Sequence, residues 1–523
     1  MKKSFYDMEW ERYTNGRLQH NPQNLEQMKQ LLGNTGCGFC LAKFRQVTLH
    51  LGTGMTHSCH HPSPHKIPLE EIEKNPAALF NTKHLKRARR EMLNGDRPDE
   101  CDYCWRVEDD GGQSDRIFKS LEPWASEFHD EITDLTGDEN IFPSYLEVSF
   151  GNACNMKCTY CGPEFSSQWV EELKKEGPIS LLKGSDIESS LHADVDLEKL
   201  NYTKREHNPY IEAFWKWFPK ALPHLRHYRI TGGEPLMSKD TFKSIDWLIE
   251  NPNRELEFSV NTNMSVPDKL WDKFVEALSR LEASRAVKSI TVYSSVEGWG
   301  ERAEYARTGL DFELFRQRVE QIAAMDNIRV NIMSAFNIFS ITSFQDLLGW
   351  VHELKQKYNP NNNLVRFYKK TGFQANLDKD FVAYSDRNPS HEIIVGLDIP
   401  YLRHPECLDV HFCTHDLLEE YLFPTLAYMS ERVVNPEWNS PSGFEGIEFD
   451  KLKRIVMHRA HYNKKNHEER ETHPDITRGR AQFYDFVNEM DRRRGTNFVE
   501  TFPEMSEFYQ TCKEANEIVK GKT

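Results

Sequence analysis

Three cysteines in the short stretch CNMKCTYC are the first candidates for chemistry in this sequence. Cys154, Cys158 and Cys161 are separated by three and by two residues. Thiolates at such spacing are typical metal ligands, yet structural zinc and cubane iron–sulfur clusters usually take four protein ligands. Two interpretations stay open: a zinc site that a histidine completes, or a [4Fe–4S] cluster with one iron left free for another molecule.

A second group of cysteines lies in the first fifth of the chain. Cys40 and Cys59 stand on either side of Gly54, with thirteen and four residues between them and the glycine. Cys101 and Cys104 follow as a Cys-x2-Cys pair. This group predicts a second metal site, separate from the first.

Composition and charge exclude several classes of protein. The chain has 523 residues, of which 38% are hydrophobic, and a formal net charge of -15, which argues against nucleic-acid and anionic-membrane surfaces. The N-terminus lacks the apolar stretch of a secretory signal, and no segment approaches a membrane span. We therefore expect a cytoplasmic protein with no nucleic-acid or membrane partner, whose 11 cysteines are thiols or metal ligands.

The elements that position the first three cysteines follow from an alternation of strands and helices. Strands are predicted at 145–150, 227–231, 256–262, 289–295, 328–336 and 364–370. Helices are predicted between and after them at 239–251, 267–283, 311–325 and 343–358. This alternation predicts a parallel sheet, open or closed into a partial barrel. The cysteines follow the first strand, and ligand chemistry in such barrels gathers at the C-terminal ends of strands.

The predicted fold class is α/β: a partial (β/α)6 TIM-like barrel with an N-terminal loop-rich iron–sulfur module and a mainly helical C-terminal region. The module is predicted at 1–130, the barrel at 140–375 and the C-terminal region at 376–523. Helices in the C-terminal region are expected at 414–432, 448–470 and 480–495, and a loop at 435–446. The long insertion at 162–226 is expected to cover the site.

The cysteine spacing, with Tyr160 as the aromatic residue before the third cysteine, resembles the radical S-adenosylmethionine (radical SAM) enzymes. In that family the iron without a protein ligand binds the amino and carboxylate groups of SAM. The reduced cluster cleaves SAM to a 5′-deoxyadenosyl radical, which abstracts a substrate hydrogen. The resemblance implies that Cys154, Cys158 and Cys161 are catalytic ligands of a [4Fe–4S] cluster.

Further stretches at the ends of successive predicted strands resemble the same family. TGGEPLM at 231–237 is similar to its Gly-Gly-Glu motif, which binds the SAM amino group. SVNTNM at 259–264 is similar to its Thr-Asn-Gly stretch, with Met264 in place of glycine, and 293–313 carries a serine and an arginine at positions that hold the SAM carboxylate. The resemblance gives SAM-binding roles to Tyr160, Gly232, Gly233, Glu234, Thr262, Asn263, Ser295, Arg307 and Asn337.

The second cysteine group resembles the auxiliary-cluster modules called SPASM and Twitch, which share a Cys…Gly-x4-Cys opening. The resemblance implies an auxiliary [4Fe–4S] cluster on Cys40, Cys59, Cys101 and Cys104. The module precedes the predicted barrel, as in Twitch domain-containing radical SAM proteins, and the stretches 89–116 and 491–505 also resemble that group. Cys37 and Cys40 form a ligand-like pair too, so zinc on Cys37, Cys40, Cys101 and Cys104 stays an alternative.

The resemblance implies an enzyme that reductively cleaves SAM, with an electron donor such as flavodoxin or ferredoxin as partner. A peptide or protein is the expected substrate, with a small metabolite as the alternative. A non-enzymatic zinc or iron–sulfur binding protein is the alternative from another class. Cys407 and Cys413 are interpreted either as hydrogen-atom donors or as ordinary half-buried thiols.

Overall fold

A nine-stranded sheet organises the protein, whose computed structural model describes residues 22–198, 200, 207–359, 394–402, 404–433, 443–461 and 471–521. The strand order is β13-β12-β10-β9-β8-β4-β1-β2-β3. All pairings from β1 to β13 are parallel, and β2 and β3 add an antiparallel hairpin at one edge. The large, mostly parallel sheet confirms the predicted α/β class.

The strands are β1 Gln46–His50, β2 Met55–His57, β3 His65–Lys66, β4 Tyr145–Ser149, β5 Lys157–Cys158, β6 Ile179–Leu181, β7 Ser189–Leu191, β8 His227–Thr231, β9 Asn253–Thr262, β10 Val287–Ser295, β11 Arg307–Thr308, β12 Ile328–Met333 and β13 Val395–Asp398. β5 with β11, and β6 with β7, form two small antiparallel sheets.

The α-helices are α1 Pro22–Thr35, α2 Leu41–Arg45, α3 Leu69–Lys74, α4 Lys83–Leu93, α5 Asp102–Asp109, α6 Asp115–Leu121, α7 Pro123–Ser126, α8 His129–Thr133, α9 Ser167–Glu176, α10 Pro209–Ala221, α11 Lys239–Glu250, α12 Asp268–Ser284, α13 Glu301–Ala306, α14 Phe312–Ala323, α15 Phe344–Tyr358, α16 His415–Leu417, α17 Phe423–Ser430, α18 Gly446–His461, α19 Pro474–Arg494, α20 Phe498–Thr501 and α21 Ser506–Gly521. None of these described helices has both the length and the apolar character that crossing a membrane requires.

Five of the six predicted strands are confirmed as β4, β8, β9, β10 and β12, and the helices between them are confirmed as well. The predicted strand at 364–370 lies outside the described residues, as do 435–442 of the predicted loop and 462–470 of a predicted C-terminal helix. In the described part of the chain, β13 pairs with β12 instead. The number of barrel units therefore stays a prediction.

The N-terminal region differs from the prediction in two ways. Much of the region predicted to be loop-rich forms short helices, α2 to α6. Apolar residues of α2, α4, α5 and α6 pack into a second core cluster around Phe39, Phe44 and Ile117, whereas Ile72 of α3 belongs to the main hydrophobic core. In addition, β1 joins the main sheet, parallel to β4, so this region is continuous with the sheet that follows it. A single five-residue strand with no helical repeat after it has too little pattern for recognition from sequence. The predicted domain boundaries stay predictions.

The two faces of the sheet differ in chemistry. Val148, Ile230, Val260 and Val292 are fully buried on one face, where they belong to the main hydrophobic core. On the other face the register aligns one polar residue from each of six neighbouring strands. These residues, which we call the polar row, are Thr48, Glu147, Arg229, Ser259, Thr291 and Arg329. A closed barrel packs that face with apolar side chains. In this protein the same face instead carries groups that can form hydrogen bonds.

Candidate functional site

The cysteine loop, residues 154–161, leaves the end of β4 and is held by the start of α9. Ser166 caps this helix by accepting a hydrogen bond from the Trp169 amide, and its hydroxyl donates to the Met156 carbonyl oxygen at 2.6 Å. The Ser167 hydroxyl accepts from the Cys154 amide and donates to the Cys154 carbonyl oxygen, both at 3.1 Å. The loop is therefore anchored largely through its backbone.

The three thiols of the loop lie close enough to affect one another electrostatically. Burial raises the pKa of Cys154 to about 12, and the nearby Cys158 thiol contributes to the same rise. Burial also raises the pKa of Cys161, again with contributions from Cys158 and Cys154. A metal that binds these residues as thiolates must therefore displace their protons. The donor set is three sulfurs, which fits a [4Fe–4S] cluster with one iron left without a protein ligand.

The Gly-Gly-Glu segment packs directly against the backbone that leads into the cysteine loop. Gly232 has a φ of +123°, and a Cβ there would lie 2.4 Å from Ser149 Oγ; a Cβ at Gly233 would lie 2.4 Å from the Ala153 carbonyl oxygen. The amide of Glu234 donates to that same carbonyl oxygen at 2.7 Å. Only glycine allows this close approach of the two segments.

The carboxylate of Glu234 joins this segment to the end of β9. Its two oxygens accept hydrogen bonds from the amides of Leu236 at 3.0 Å and Asn263 at 2.7 Å. The residue is 2% exposed, and burial raises its pKa to about 7, although the two amide donors act in the opposite direction. Glu234 therefore holds two neighbouring strand ends together, and its predicted contact with the SAM amino group stays a prediction.

The Thr-Asn-Met segment at the end of β9 reaches the first cysteine. The side-chain Nδ2 of Asn263 donates to Asn155 Oδ1 at 2.9 Å and lies 3.9 Å from Cys154 Sγ. Thr262 Oγ1 accepts from the Met264 amide at 3.0 Å. Met264 has a φ of +56°, so it adopts the left-handed conformation that glycine favours. The departure from the family pattern thus keeps the backbone conformation of a glycine.

Arg307 lies beside the cysteine loop in a buried ion pair. Its Nε donates to Glu297 Oε2 at 2.7 Å, and its Nη2 donates to the Tyr160 hydroxyl oxygen at 2.6 Å. Tyr160 in turn donates to Glu297 Oε1 at 2.5 Å. The side chains of Arg307 and Glu297 are 7% and 1% exposed. Among the described residues, Nη1 of Arg307 makes no hydrogen bond, so one guanidinium nitrogen remains for a ligand.

Glu297 is the site residue that sequence reasoning missed. It lies two residues after Ser295, within the stretch 293–313 that resembles the family, and an acidic residue so close to a predicted SAM contact was the available signal. Its partner Arg307 was found through the same resemblance. The pairing between them depends on how the segment after β10 folds back.

Ser295 and Asn337, two further predicted SAM contacts, differ in the hydrogen bonds that their side chains make. Ser295 ends β10 opposite Met333, half-buried, and its hydroxyl makes no hydrogen bond to the described residues. Asn337 is fully buried and caps a short turn, because its Oδ1 accepts from the Phe339 amide at 2.9 Å and its Nδ2 donates to the Ala335 carbonyl oxygen at 2.8 Å. The amide of Asn337 is thus used within the protein, and its predicted contact with ribose or adenine stays a prediction.

The second cysteine group lines a single cavity, which we call the N-terminal cavity. Its four cysteines, named here the N-terminal cysteines, are Cys40, Cys59, Cys101 and Cys104. Its charged or titratable lining also includes Lys43, His61, Asp115, Arg116 and Lys119. Cys37 does not: it is exposed, and its thiol donates to the Gly95 carbonyl oxygen at 2.9 Å.

A histidine and aspartate cluster adjoins this cavity. Asp115 Oδ2 accepts from His61 Nε2 at 2.7 Å and from His60 Nε2 at 3.2 Å. In the described part of the chain, these three residues are the one group of possible metal ligands whose donor atoms all lie within 4.8 Å of one another. Among the described cysteines, neither set contains three sulfur atoms that close together. The sequence gives no local signal for this cluster, because Asp115 follows His61 by 54 residues.

Comparison with known protein families gives a match over the region that contains the cysteine loop. Residues 148–329 match the family model described as Radical SAM superfamily. This region is therefore similar to radical SAM domains. The match supports an enzyme of the radical SAM type that uses SAM and a [4Fe–4S] cluster, and it contains Cys154, Cys158, Cys161 and Arg307. No curated protein and no solved structure matches the chain.

Proposed function

We propose that this protein is a radical SAM enzyme that modifies a peptide or protein and carries an auxiliary [4Fe–4S] cluster in the N-terminal cavity. The observation that carries the proposal is the cysteine loop at the end of β4, with Arg307 of the radical SAM domain paired directly opposite Cys158. A bound and reduced [4Fe–4S] cluster would supply the electron that cleaves SAM to a 5′-deoxyadenosyl radical, which abstracts a substrate hydrogen.

Different residues of the radical SAM domain hold and orient different parts of SAM. Cys154, Cys158 and Cys161 supply thiolates, and the three-sulfur donor set leaves one coordination site for the amino acid part of SAM. Gly233 allows the close backbone approach on which the amino-group site depends. Nη1 of Arg307 is the nitrogen left to meet the SAM carboxylate, a geometry that suits a guanidinium.

The separation of the thiols supports iron–sulfur clusters over zinc at both sites. Four thiolates on one tetrahedral zinc ion, at 2.3 Å each, would lie about 3.8 Å apart. No three ligand atoms that include these cysteines lie within 4.8 Å of one another in the described residues. A cubane cluster is wider than a single ion and accepts a more open set of sulfurs. Cys59, rather than Cys37, completes the proposed auxiliary ligand set, because it lines the cavity.

The polar row supports a substrate that forms hydrogen bonds. Glu147 and Arg229 face each other in register on β4 and β8, yet among the described residues they form no ion pair with each other. Arg229 donates to Asn261 Oδ1 at 2.9 Å and lies 4.3 Å from the centre of the Tyr293 ring, and the Glu147 carboxylate is close enough to interact with it electrostatically. A peptide backbone offers the donors and acceptors that such a face can bind. The resemblance to auxiliary-cluster enzymes supports the same substrate class.

The experiment that tests the proposal is anaerobic reconstitution of the full chain with iron and sulfide, reduction, and addition of SAM. We expect about eight irons per chain, the content of two cubanes, and formation of 5′-deoxyadenosine. The triple variant Cys154→Ala/Cys158→Ala/Cys161→Ala should keep about four irons and form no 5′-deoxyadenosine. A protein that binds zinc in either site, or that never forms 5′-deoxyadenosine under several reductants, would contradict the proposal.

The substrate class is tested separately, with flavodoxin or ferredoxin as the proposed electron donor. Cell extract is divided by size into a peptide fraction and a low-mass metabolite fraction, and each is added to the reconstituted enzyme. We expect the peptide fraction to increase 5′-deoxyadenosine formation. Stimulation by the metabolite fraction alone would overturn the peptide assignment and leave the radical SAM assignment intact.

A further inference from the structure

A buried lysine forms part of the wall of the N-terminal cavity. Lys43 lies in α2, three residues after Cys40, and its side chain is 1% exposed. It lines the cavity together with the N-terminal cysteines. Its ammonium pairs with the carboxylate of Glu100, the residue that immediately precedes Cys101. A full positive charge is therefore buried where the proposed auxiliary cluster would bind.

The two members of this ion pair are placed differently with respect to the cavity. Lys43 lines it, whereas Glu100 does not. Glu100 also pairs with His84 of α4, which is 34% exposed. The carboxylate thus lies between the buried lysine and a half-exposed histidine, and the positive member of the pair is the one that faces the cysteines.

A buried positive charge in the cavity wall affects how easily a cluster bound there is reduced. A [4Fe–4S] cluster on four thiolates is an anion, and reduction adds one more negative charge. A cation in the cavity wall stabilises the reduced form more than the oxidised form, and the effect is strong because a buried site screens charge poorly. Cluster potentials depend on just such local charge and burial.

We propose that Lys43 raises the reduction potential of the auxiliary cluster, and that Glu100 holds the ammonium at the cavity wall while offsetting part of its charge. This inference rests on the proposed function, because it requires a [4Fe–4S] cluster on the N-terminal cysteines. A raised potential suits a cluster that accepts an electron during turnover.

The test measures a potential and needs no substrate. The Cys154→Ala/Cys158→Ala/Cys161→Ala variant of the full chain leaves the auxiliary cluster as the one that is titrated, by anaerobic redox titration with electron paramagnetic resonance. Lys43→Met and Glu100→Gln are added to it singly. Lys74→Met, which removes an exposed lysine of the same region, is the matched control.

The two variants should move the potential in opposite directions. Lys43→Met should lower the ratio of reduced to oxidised cluster at least tenfold at a given potential, which corresponds to about 59 mV for one electron. Glu100→Gln should raise that ratio, because it removes a negative charge and keeps the lysine. Lys43→Arg, which preserves the charge, and Lys74→Met should leave it unchanged.

The outcomes separate this inference from the function on which it rests. A triple-cysteine variant that holds no iron, or holds zinc, would overturn the auxiliary cluster and the role of Lys43 with it. About four irons with an unmoved potential in both Lys43→Met and Glu100→Gln would overturn the role of Lys43 alone. Should Lys43→Met fail to fold, a potential in Glu100→Gln that stays constant or falls would refute the inference.

Discussion

Arg307 lies directly opposite Cys158 in the short antiparallel pairing of β11 with β5. This pairing brings the arginine that follows β10 to the second cysteine of the loop that follows β4. It also places the guanidinium where Glu297 and Tyr160 both contact it. A residue predicted to bind the SAM carboxylate and a residue predicted to bind iron are thus neighbours through their backbones.

Glu297→Gln should destabilise the protein strongly. The substitution leaves Arg307 buried without its carboxylate, and breaking a buried ion pair costs about 3–5 kcal/mol. The free energy of unfolding in urea, measured on the cluster-free protein, gives this cost. Glu313→Gln is the control, because its pair with Arg316 is exposed and is worth about 0–1 kcal/mol. Equal, small effects of both substitutions would refute a buried, coupled pair.

Arg307→Lys should weaken SAM binding while the iron content stays the same. A lysine ammonium is a single point charge and cannot contact Glu297 and a SAM carboxylate with separate nitrogens, as a guanidinium does. We expect a loss of affinity of about tenfold, which is about 1.4 kcal/mol, by anaerobic equilibrium dialysis with labelled SAM. Arg316→Lys on α14 is the control. Unchanged affinity would remove Arg307 from the SAM site.

Glu234 should make stability depend on pH in a defined window. Burial raises its pKa in the folded protein from 4.5 to about 7, so the folded state holds a proton that the unfolded state has released. Its contribution to stability is therefore present below about pH 4.5, decreases as the pH rises, and is lost above about pH 7. Urea unfolding of wild type and Glu234→Gln between pH 5 and 8 should show a difference in stability that changes over this window. A difference that is constant with pH would show that Glu234 does not titrate there.

Met264→Gly should destabilise the protein even though it restores the glycine of the family pattern. Loss of the fully buried methionine side chain costs about 2–5 kcal/mol, whereas relief of the left-handed backbone returns about 1–2 kcal/mol. Met264→Ala removes most of the same side chain but keeps the strain. We therefore expect the order wild type, glycine variant, alanine variant in thermal stability. An alanine variant at least as stable as the glycine variant would show that the backbone is not strained.

Cys37→Ser should leave the iron content of the N-terminal site unchanged. Cys37 is exposed and does not line the N-terminal cavity, whereas Cys59 does. Cys59→Ser, the matched substitution, should lose or destabilise a cluster of about four irons. Iron analysis of the two variants after anaerobic reconstitution checks this. Loss of metal from Cys37→Ser with none from Cys59→Ser would favour the zinc set of Cys37, Cys40, Cys101 and Cys104.

Much of the sheet was predictable because its signals are local. β8 coincides with the predicted strand at 227–231, and β4, β9, β10 and β12 lie within a few residues of their predictions, since each is a short β-branched or aromatic run next to an amphipathic helix. β1 was not predicted, because nothing near it in the sequence indicates that it pairs in parallel with β4. The whole cysteine-rich region separates the two strands in the chain.

The sequence by itself determined which residues are candidates for chemistry: two sets of cysteines at ligand spacing, the glycines of the Gly-Gly-Glu segment, and an arginine after β10. Only the tertiary structure decided how they are arranged. It assigned Glu297 and Tyr160 to Arg307, placed Lys43 beside the N-terminal cysteines, and left Cys37 outside their cavity. The physical reason is that ligand spacing and close backbone approach are local constraints. Ion pairs and cavity walls are formed by segments far apart in the chain, and folding alone brings them together.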